Sequence, residues 1–269
     1  MGKVKHRGSH SGIEAKKHLG QHFLNDENVA ISTAELIERE DLDQVIEIGP
    51  GTGVLTEHLY KYWGDKLLCV ELDSESVTYL KSADWAQGLS LWEGDFLQLD
   101  VSQFEGKKIA VIGNYPYNIS TQIAFKILEE NWNVVLFAGM FQKEVAERFC
   151  AVHGNKTYGV TSVLLQSYFD CEVSFLVPPE SFIPPPSVDS AVMIAKRTHY
   201  EDLPEWKFLR QVVKQAFSQR RKTLSNSLKS MIMQYPKFQL PEEWKTLRAE
   251  ALSVTDFHAL SRAYRDATR

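Results

Sequence analysis

The sequence is poor in cysteine and lacks any spacing of residues that is typical of a metal site. Its three cysteines are far apart in the chain. An odd number without a close pair argues against a disulfide framework and a zinc ribbon. His18 and His22 are four residues apart, but no third ligand lies near them in the sequence. We therefore expect a protein of a reducing compartment with no bound metal.

Long apolar stretches are also missing. The longest, residues 134–141, is far shorter than the roughly 20 residues that a membrane-spanning helix needs. The amino-terminal residues contain no apolar core of signal-peptide length. We therefore expect a cytoplasmic protein that makes no contact with a membrane.

The chain has no overall excess of positive charge, because 30 basic residues stand against 35 acidic ones. The distribution is uneven, however. Residues 207–229 contain seven lysines and arginines and no acidic residue, and residues 1–25 contain five against one. A locally basic surface on an acidic body fits a polyanionic partner. A run of charge that only makes a surface soluble remains the alternative.

From about residue 29 to 196, short apolar runs alternate with helical stretches, which predicts βαβ units and a mostly parallel sheet. The runs at 167–176 and 190–196 follow each other without a helix, so we expect an antiparallel hairpin at the end of the sheet. The fold class is therefore α/β and Rossmann-like. The other strands are predicted at 44–49, 66–72, 89–93, 108–113 and 134–141.

After a polar linker at 198–204 the pattern is helical, which predicts a small all-α domain at the carboxyl end. Its helices are predicted at 206–217, 221–233, 241–248 and 254–264. The expected division is a flexible segment, a catalytic domain and a helical RNA-binding domain, at 1–16, 17–198 and 199–269.

A glycine-rich turn follows the strand predicted at 44–49. In the sequence EIGPGTG, Gly49 and Gly51 would let the backbone approach a ligand closely at the carboxyl edge of the sheet. Dinucleotide-binding enzymes carry similar turns, and a plain tight turn is also compatible with this pattern. The turn alone therefore does not choose the ligand.

Acidic residues end the next two strands. Glu71 can accept hydrogen bonds from both hydroxyls of a ribose, as carboxylates at this position also do in NAD enzymes. Asp95 can accept from the amino group of an adenine, and Phe96 offers a ring to stack on it. Together with the glycine turn, these residues predict a nucleoside cofactor.

The sequence Asn114-Tyr115-Pro116-Tyr117 follows the strand predicted at 108–113. An aromatic amine is a poor nucleophile because its lone pair is delocalised. The side-chain oxygen of Asn114 and the backbone carbonyl of Tyr115 can accept both amine hydrogens and free that lone pair. Pro116 fixes the turn, and Tyr117 offers a face for a base. The motif predicts methyl transfer to adenine. The alternative of an NAD-dependent dehydrogenase does not explain these four residues.

With these motifs, the chain resembles the ribosomal RNA adenine dimethyltransferase family from about residue 17 to its end. Residues 20–24 (GQHFL) are similar to the family's amino-terminal motif, in which the positions of His22 and Leu24 contact the cofactor. Residues 182–191 are similar to its proline-rich signature, and residues 217–224 to the basic helix that opens its carboxyl-terminal domain. The resemblance implies S-adenosylmethionine as cofactor, bound at Gly49, Glu71, Asp95 and Asn114. The glycine turn and the loop after the third strand add Gly51 and Phe96 to the expected cofactor residues.

The resemblance further implies dimethylation of two adjacent adenosines in the terminal hairpin loop of small-subunit ribosomal RNA, late in ribosome assembly. We expect a monomer that binds this RNA in the subunit or its precursor. Phosphate contacts are expected from Arg220, Arg221 and Lys222. Two alternatives remain: a large-subunit methyltransferase of the macrolide-resistance type, and an assembly factor whose binding matters more than its catalysis.

Two positions depart from the family pattern. Tyr115 replaces the usual aliphatic residue, which leaves its backbone carbonyl in place but could alter the shape of the pocket. His22 stands where many relatives carry Asn, and both side chains form hydrogen bonds. The target adenine has to leave its stack to reach Tyr117. Its pocket could be lined by Phe141, Tyr158 and Phe182, although core packing is expected for at least one of these.

Overall fold

A computed structural model describes residues 12–16, 19–129, 132–200 and 202–269. The strands are β1 Phe23–Leu24, β2 Gln44–Ile48, β3 Leu67–Glu71, β4 Ser90–Glu93, β5 Ile109–Gly113, β6 Val134–Gln142, β7 Phe169–Val177, β8 Phe182–Ile183 and β9 Ser190–Arg197. The helices are α1 Glu27–Glu35, α2 Val54–Trp63, α3 Ser74–Ser82, α4 Ser120–Glu129, α5 Lys143–Phe149, α6 Val160–Gln166, α7 Trp206–Phe217, α8 Leu224–Ser227, α9 Lys229–Gln234 and α10 Val254–Thr268.

The main sheet has seven strands in the order β4-β3-β2-β5-β6-β9-β7. The neighbours from β4 to β6 are parallel, whereas β9 runs antiparallel to β6. This arrangement confirms the predicted α/β fold, and β9 and β7 lie together at the end of the sheet, where the hairpin was expected. The five strands predicted before residue 142 lie within one residue of their expected bounds at each end.

Strand β5 shows why the central strands form here. All five of its residues are buried, as an apolar run requires in a parallel strand that is covered on both faces. Around it, helices and strands share one apolar core. This core includes Val45, Leu59, Cys69, Ala110, Ile112 and Leu136.

The strand order reverses between β2 and β5. The chain proceeds from β2 to β3 and β4 on one side, and then from β5 to β6 on the other. Loops at such a switch point diverge to opposite faces, which leaves a crevice at the carboxyl ends of the strands. Gly49 follows β2 and Asn114 follows β5, so both border this crevice.

A short second sheet was not predicted. Strand β1 pairs antiparallel with β8, with Phe23 opposite Ile183 and Leu24 opposite Phe182. Leu24 and Phe182 are buried in a second apolar cluster with Val54 and other residues. This pairing brings the amino-terminal motif next to the proline-rich signature.

The described chain divides into two compact units. One combines the residues up to Ala146 with Glu172–Arg197, and the other combines Glu147–Cys171 with Thr198–Arg269. The carboxyl-terminal part of the second unit thus begins at Thr198, where the expected catalytic domain ends. It also takes in Glu147–Cys171, a segment that the sequence analysis assigned to the catalytic domain. Helix α6 of this segment packs against α7 and α10, which accounts for its place in the second unit.

The second unit is helical, with α7 at the predicted residues. The helix predicted at 221–233 begins only at Leu224 and is interrupted at Leu228, which separates α8 from α9. The prediction of a helix at 241–248 is wrong, because the chain there forms only the short 3-10 turn Glu242–Trp244. Helices α7 and α10 bury positions three and four residues apart, as amphipathic helices do. These positions are Leu209, Val212, Val213 and Ala216 on α7, and Phe257, Leu260, Ser261 and Tyr264 on α10.

Two further observations apply to the described residues. None of their helices is both long and apolar enough to span a membrane. In the same part of the chain, no three His, Cys, Asp or Glu side chains are grouped as metal ligands.

Candidate active site

A cavity opens at the carboxyl ends of β2, β3 and β5, beside the switch point of the sheet. Its lining brings together the predicted cofactor residues His22, Gly49, Gly51, Glu71, Asp95, Phe96 and Asn114, and the rest of the predicted catalytic motif, Tyr115, Pro116 and Tyr117. Leu24 lies instead on a smaller adjoining cavity, together with Glu47, Gly49, Gly51 and Asn114. The structure therefore places the predicted cofactor and catalytic residues around two neighbouring cavities.

The glycine turn and strand β1 are in close contact. Gly51 has a positive φ of 55°, and a Cβ atom added there would lie 2.9 Å from the ring of Phe23. Any larger residue would therefore be strained by its backbone conformation and would displace the ring. The glycine is needed here so that the amino-terminal segment can cover the turn.

Glu71 helps to build the turn as well as to line the cavity. Glu71 is 5% exposed, and its carboxylate accepts hydrogen bonds from the backbone N–H groups of Gly51 at 3.0 Å and Asp73 at 2.9 Å. Burial raises the pKa of this carboxyl, against the opposing effect of these donors. Each carboxylate oxygen has a second lone pair, so Glu71 can still accept from ribose hydroxyls.

Glu47 is a buried acid that the sequence analysis did not single out. Its side chain is 1% exposed, and burial raises its pKa to about 8. The Cys69 thiol donates to its Oε2 atom at 3.5 Å. Glu47 is therefore largely protonated at neutral pH beside the glycine turn. Its position as the first residue of the EIGPGTG motif is the signal that could have identified it.

The loop after β4 is ordered by Asp95. Its Oδ1 atom accepts from the N–H of Leu97 at 2.9 Å and caps the short 3-10 helix Phe96–Gln98. A carboxylate has a second oxygen, which Asp95 can direct to an adenine amino group. Phe96 is 3% exposed, and its ring packs at 6.1 Å from that of Trp132. Phe96 therefore offers little surface for stacking. Apolar walls that the sequence analysis missed come from Leu72, Leu97 and Ile119.

The amide of Asn114 has a fixed orientation. Its Nδ2 atom donates to the backbone carbonyl of His22 at 2.8 Å. Because a carbonyl oxygen only accepts, the amide nitrogen must face His22 and the side-chain oxygen must face away from it. The next residue is also fixed, since the N–H of Tyr115 donates to the carbonyl of Met140 at 3.2 Å.

The side chain of Tyr115 points into the core. It is 1% exposed, and its hydroxyl donates to the carbonyl of Ala138 at 2.7 Å. Its ring packs against Phe137 and Phe141, at centroid distances of 5.4 and 4.7 Å. The departure from the family pattern is therefore absorbed by core packing, although Tyr115 also contributes to the cavity lining.

Tyr117 is held at both ends of its side chain. Its hydroxyl is 2.6 Å from Ser190 Oγ, and the ring of His22 stacks on it at 5.3 Å. His22 is in turn 2.8 Å from the carbonyl of Pro184 through Nδ1, which must carry the proton. The His22 ring thus covers one face of the Tyr117 ring. A target base could stack on the opposite face, or on the same face after displacing the His22 ring.

The three aromatic residues considered for the target pocket are buried. Phe141 is 0% exposed, and Tyr158 and Phe182 are each 1% exposed. None of them lines the cavity described above. Phe182 pairs with Leu24, and Tyr158, in the second unit, packs edge-on against Phe217. Core packing, which was expected for at least one of them, therefore accounts for the burial of all three, as is common for large aromatic side chains.

The basic residues Arg220, Arg221 and Lys222 lie in a turn after α7 rather than in the expected basic helix. Arg220 donates to the backbone carbonyls of Lys156 and Tyr158, within the second unit. It therefore fixes a loop as well as carrying charge. Arg221 and Lys222 are exposed.

Comparison with known proteins assigns the family. A family model described as ribosomal RNA adenine dimethylase matches residues 12–264. The chain belongs to this family. The dimethylase assignment confirms the resemblance seen in the sequence, and with it the α/β fold. It also confirms the enzyme class and S-adenosylmethionine as the cofactor.

Curated relatives are similar over nearly the whole chain. A protein of Cytophaga hutchinsonii named ribosomal RNA small subunit methyltransferase A is 48% identical over 93% of this chain and 96% of its own length. A protein of the same name from Bacteroides thetaiotaomicron is 43% identical over 96% of each chain.

Solved structures show the same fold. A dimethyladenosine transferase of Plasmodium falciparum superposes with a TM-score of 0.77 at 24% identity, over 92% of this chain and 98% of that one. The 23S rRNA methyltransferase ErmE superposes with a TM-score of 0.66 at 21% identity, over 90% and 99%. At these identities the likeness concerns the fold alone.

Proposed function

We propose that this dimethylase acts as a cytoplasmic monomer on 16S ribosomal RNA in the small subunit or its precursor. It converts two adjacent adenosines of the 3′-terminal hairpin loop to their N6,N6-dimethyl forms, late in assembly. The substrate proposal is supported by the names of relatives that are 42–48% identical to this chain. It is also supported by the exposed basic turn at Arg221 and Lys222.

The observation that carries the proposed mechanism is the fixed amide of Asn114. With its nitrogen on the His22 carbonyl, its oxygen can accept one hydrogen of the adenine amine. The backbone carbonyl of Tyr115 accepts the other. These two acceptors draw the nitrogen toward tetrahedral geometry, so its lone pair becomes available for attack.

S-adenosylmethionine supplies an activated methyl group when bound. Glu71 would hold its ribose, Asp95 its adenine amine, and Gly49 and Gly51 the remaining part. Held there, it would present that methyl group to the adenine amine positioned by Asn114 and Tyr115, and the proton released on transfer would pass to water. No general base is required, so positioning supplies most of the rate enhancement, on the order of 7–11 kcal/mol.

The second unit is proposed to bind the RNA. Arg221 and Lys222 would contact phosphates, which positions the RNA without reading its sequence. Arg220 would add charge to the same surface while it fixes the loop at Lys156 and Tyr158.

The test is a methyl-transfer assay with labelled S-adenosylmethionine on unmethylated small and large ribosomal subunits, each incubated separately. We expect label in 16S RNA only, at two adjacent adenosines. Label in 23S RNA would favour the macrolide-resistance type, which shares the fold of ErmE. Tight binding to the small subunit without any transfer would favour a pure assembly factor.

A further inference from the structure

Asp73 is a buried acid next to the cofactor cavity that the mechanism does not use. Its side chain is 2% exposed. Its carboxylate receives hydrogen bonds from Lys16 Nζ, from Gln21 Nε2 at 3.4 Å and from Ser76 Oγ at 3.2 Å. Lys16 also pairs with Glu75 at 3.0 Å. The ammonium group of Lys16 therefore forms ion pairs with two acidic residues at the start of α3.

Lys16 and Gln21 are also bound to each other. The backbone N–H of Lys16 donates to Gln21 Oε1 at 2.8 Å, and the N–H of Leu19 donates to the carbonyl of Lys16 at 3.0 Å. Lys16 was expected to lie in a flexible segment, whereas here its side chain and its backbone are both hydrogen-bonded. Gln21, which is bound to Lys16, belongs to residues 19–23, and these line the cofactor cavity.

The far end of this wall is held by different contacts. Phe23 packs on Gly51, and Phe23 and Leu24 pair with β8. Between the two ends, the carbonyl of His22 orients Asn114. A shift of the Lys16 end would therefore disturb both the cavity wall and the catalytic amide.

Asp73 is also hydrogen-bonded directly to Glu71, the residue proposed to hold the ribose of the cofactor. Its backbone N–H donates to Glu71 Oε1 at 2.9 Å, while its side chain holds Lys16. The ion pair and the proposed ribose acceptor thus share one residue.

We propose that Lys16 is a positioning residue for the methyl-transfer reaction: its ion pair with Asp73 closes the amino-terminal wall of the cofactor cavity. Two methyl transfers to one adenine consume two cofactor molecules, so the cavity must exchange its ligand during the reaction. The Lys16–Asp73 pair favours the closed wall and so slows ligand release. This inference rests on the proposed cofactor residues, because it places the ligand against residues 19–23.

The test is calorimetric binding of S-adenosylhomocysteine to the full chain carrying Lys16→Met. We expect Kd to rise about threefold to tenfold, a range that fits a partly buried ion pair. Lys16→Arg, which keeps the charge, should restore Kd to within about twofold. The matched control is Lys61→Met, which removes an exposed helical ion pair with Glu57 and should leave Kd unchanged.

Two further readouts distinguish positioning from simple unfolding. Urea unfolding should show both Met variants folded under the assay conditions, and the Kd of Lys16→Met should depend less steeply on salt than that of the unmodified chain. The inference is overturned if Lys16→Met binds like Lys61→Met, or if Lys16→Arg is as weak as Lys16→Met. If instead the unmodified chain binds but Glu71→Gln binds equally well, the proposed cofactor site itself has failed.

Discussion

At the scale of single residues, one hydrogen bond sets the orientation of the Asn114 amide, from its Nδ2 atom to the backbone carbonyl of His22. Asn114, Glu71 and Asp95 were predicted as site residues because each lies at the carboxyl end of a predicted strand. The hydrogen bond that orients Asn114 was not predictable, since it joins the side chain to a carbonyl 92 positions earlier in the chain. Phe96, which was expected to stack on adenine, packs its ring against Trp132, a residue outside every motif.

Changing Asn114 tests its fixed orientation. Asn114→Asp keeps the size and one oxygen but loses the donor to the His22 carbonyl, so its carboxylate is repelled there. We expect both Asn114→Asp and Asn114→Ala to reduce kcat by at least about 100-fold, while S-adenosylhomocysteine binding stays measurable. Near-normal kcat for Asn114→Asp, measured with small subunits, would show that the orientation is unimportant.

Changing Tyr115 separates core packing from catalysis. Tyr115→Leu restores the residue type that is usual in the family and keeps the backbone carbonyl. We expect activity within about threefold of the unmodified chain, but a loss of about 2–4 kcal/mol in the free energy of unfolding, because a buried ring and hydroxyl are removed. Urea unfolding and the methyl-transfer assay measure the two effects. A loss of activity as large as that of Asn114→Ala would place the side chain in the reaction.

Glu47 gives a pH dependence of stability. Its pKa is about 8 in the folded chain against 4.5 for the free group. Between these pH values the unfolded chain loses a proton that the folded chain keeps, so rising pH destabilises the fold, by up to about 5 kcal/mol. Glu47→Gln removes this effect. We therefore expect the free energy of unfolding of the variant, relative to that of the unmodified chain, to be higher at pH 8.5 than at pH 5 when both are measured by urea unfolding. An equal difference at both values would contradict the buried, protonated state.

At the scale of elements, the parallel strands were predicted well because continuous apolar runs are typical of strands covered on both faces. The pairing of β1 with β8 was missed, since two strands of two residues each have no periodicity to detect. The helix expected at 221–233 fails at its start because Arg220 turns back to the carbonyls of Lys156 and Tyr158. That interaction is invisible to local patterns.

The contact between the glycine turn and β1 can be tested with two alanine substitutions. Gly51→Ala and Gly106→Ala both place a side chain at a positive φ, of 55° and 78°. Only the Cβ at position 51 would meet another group, the ring of Phe23 at 2.9 Å, whereas nothing lies within 4 Å at position 106. We expect Gly51→Ala to weaken S-adenosylhomocysteine binding by at least about tenfold and Gly106→Ala to leave it unchanged. Equal affinities in calorimetry would show that this close approach is not needed.

At the scale of the whole molecule, the charge distribution indicated a polyanionic partner that the net charge of −5 conceals. The division into units depends on contacts between residues that are distant in the sequence. Glu147–Cys171 lies between two strands in the sequence, yet it belongs to the helical unit. Its role there depends on contacts such as that between His258 and Ser167, at 2.9 Å, which no local signal announces.

Substitutions in the exposed basic turn test whether this surface binds RNA. Replacing both Arg221 and Lys222 with alanine should weaken RNA binding for every sequence and reduce the slope of log K against log salt by about 2. The matched control replaces Lys61 and Lys108, which pair with acids in the other unit, and should change the slope little. Filter binding at several salt concentrations gives both slopes. An unchanged slope for the first variant would assign the turn a structural role.

The proposed reaction is tested most directly by nucleoside analysis with mass spectrometry, at the time when the unmodified chain has completed its reaction with unmethylated small subunits. We expect two N6,N6-dimethyladenosines per subunit with the unmodified chain and almost none with Asn114→Ala over the same time. Methyl groups on another base, or dimethyladenosine formed at a normal rate by Asn114→Ala, would contradict the proposed reaction.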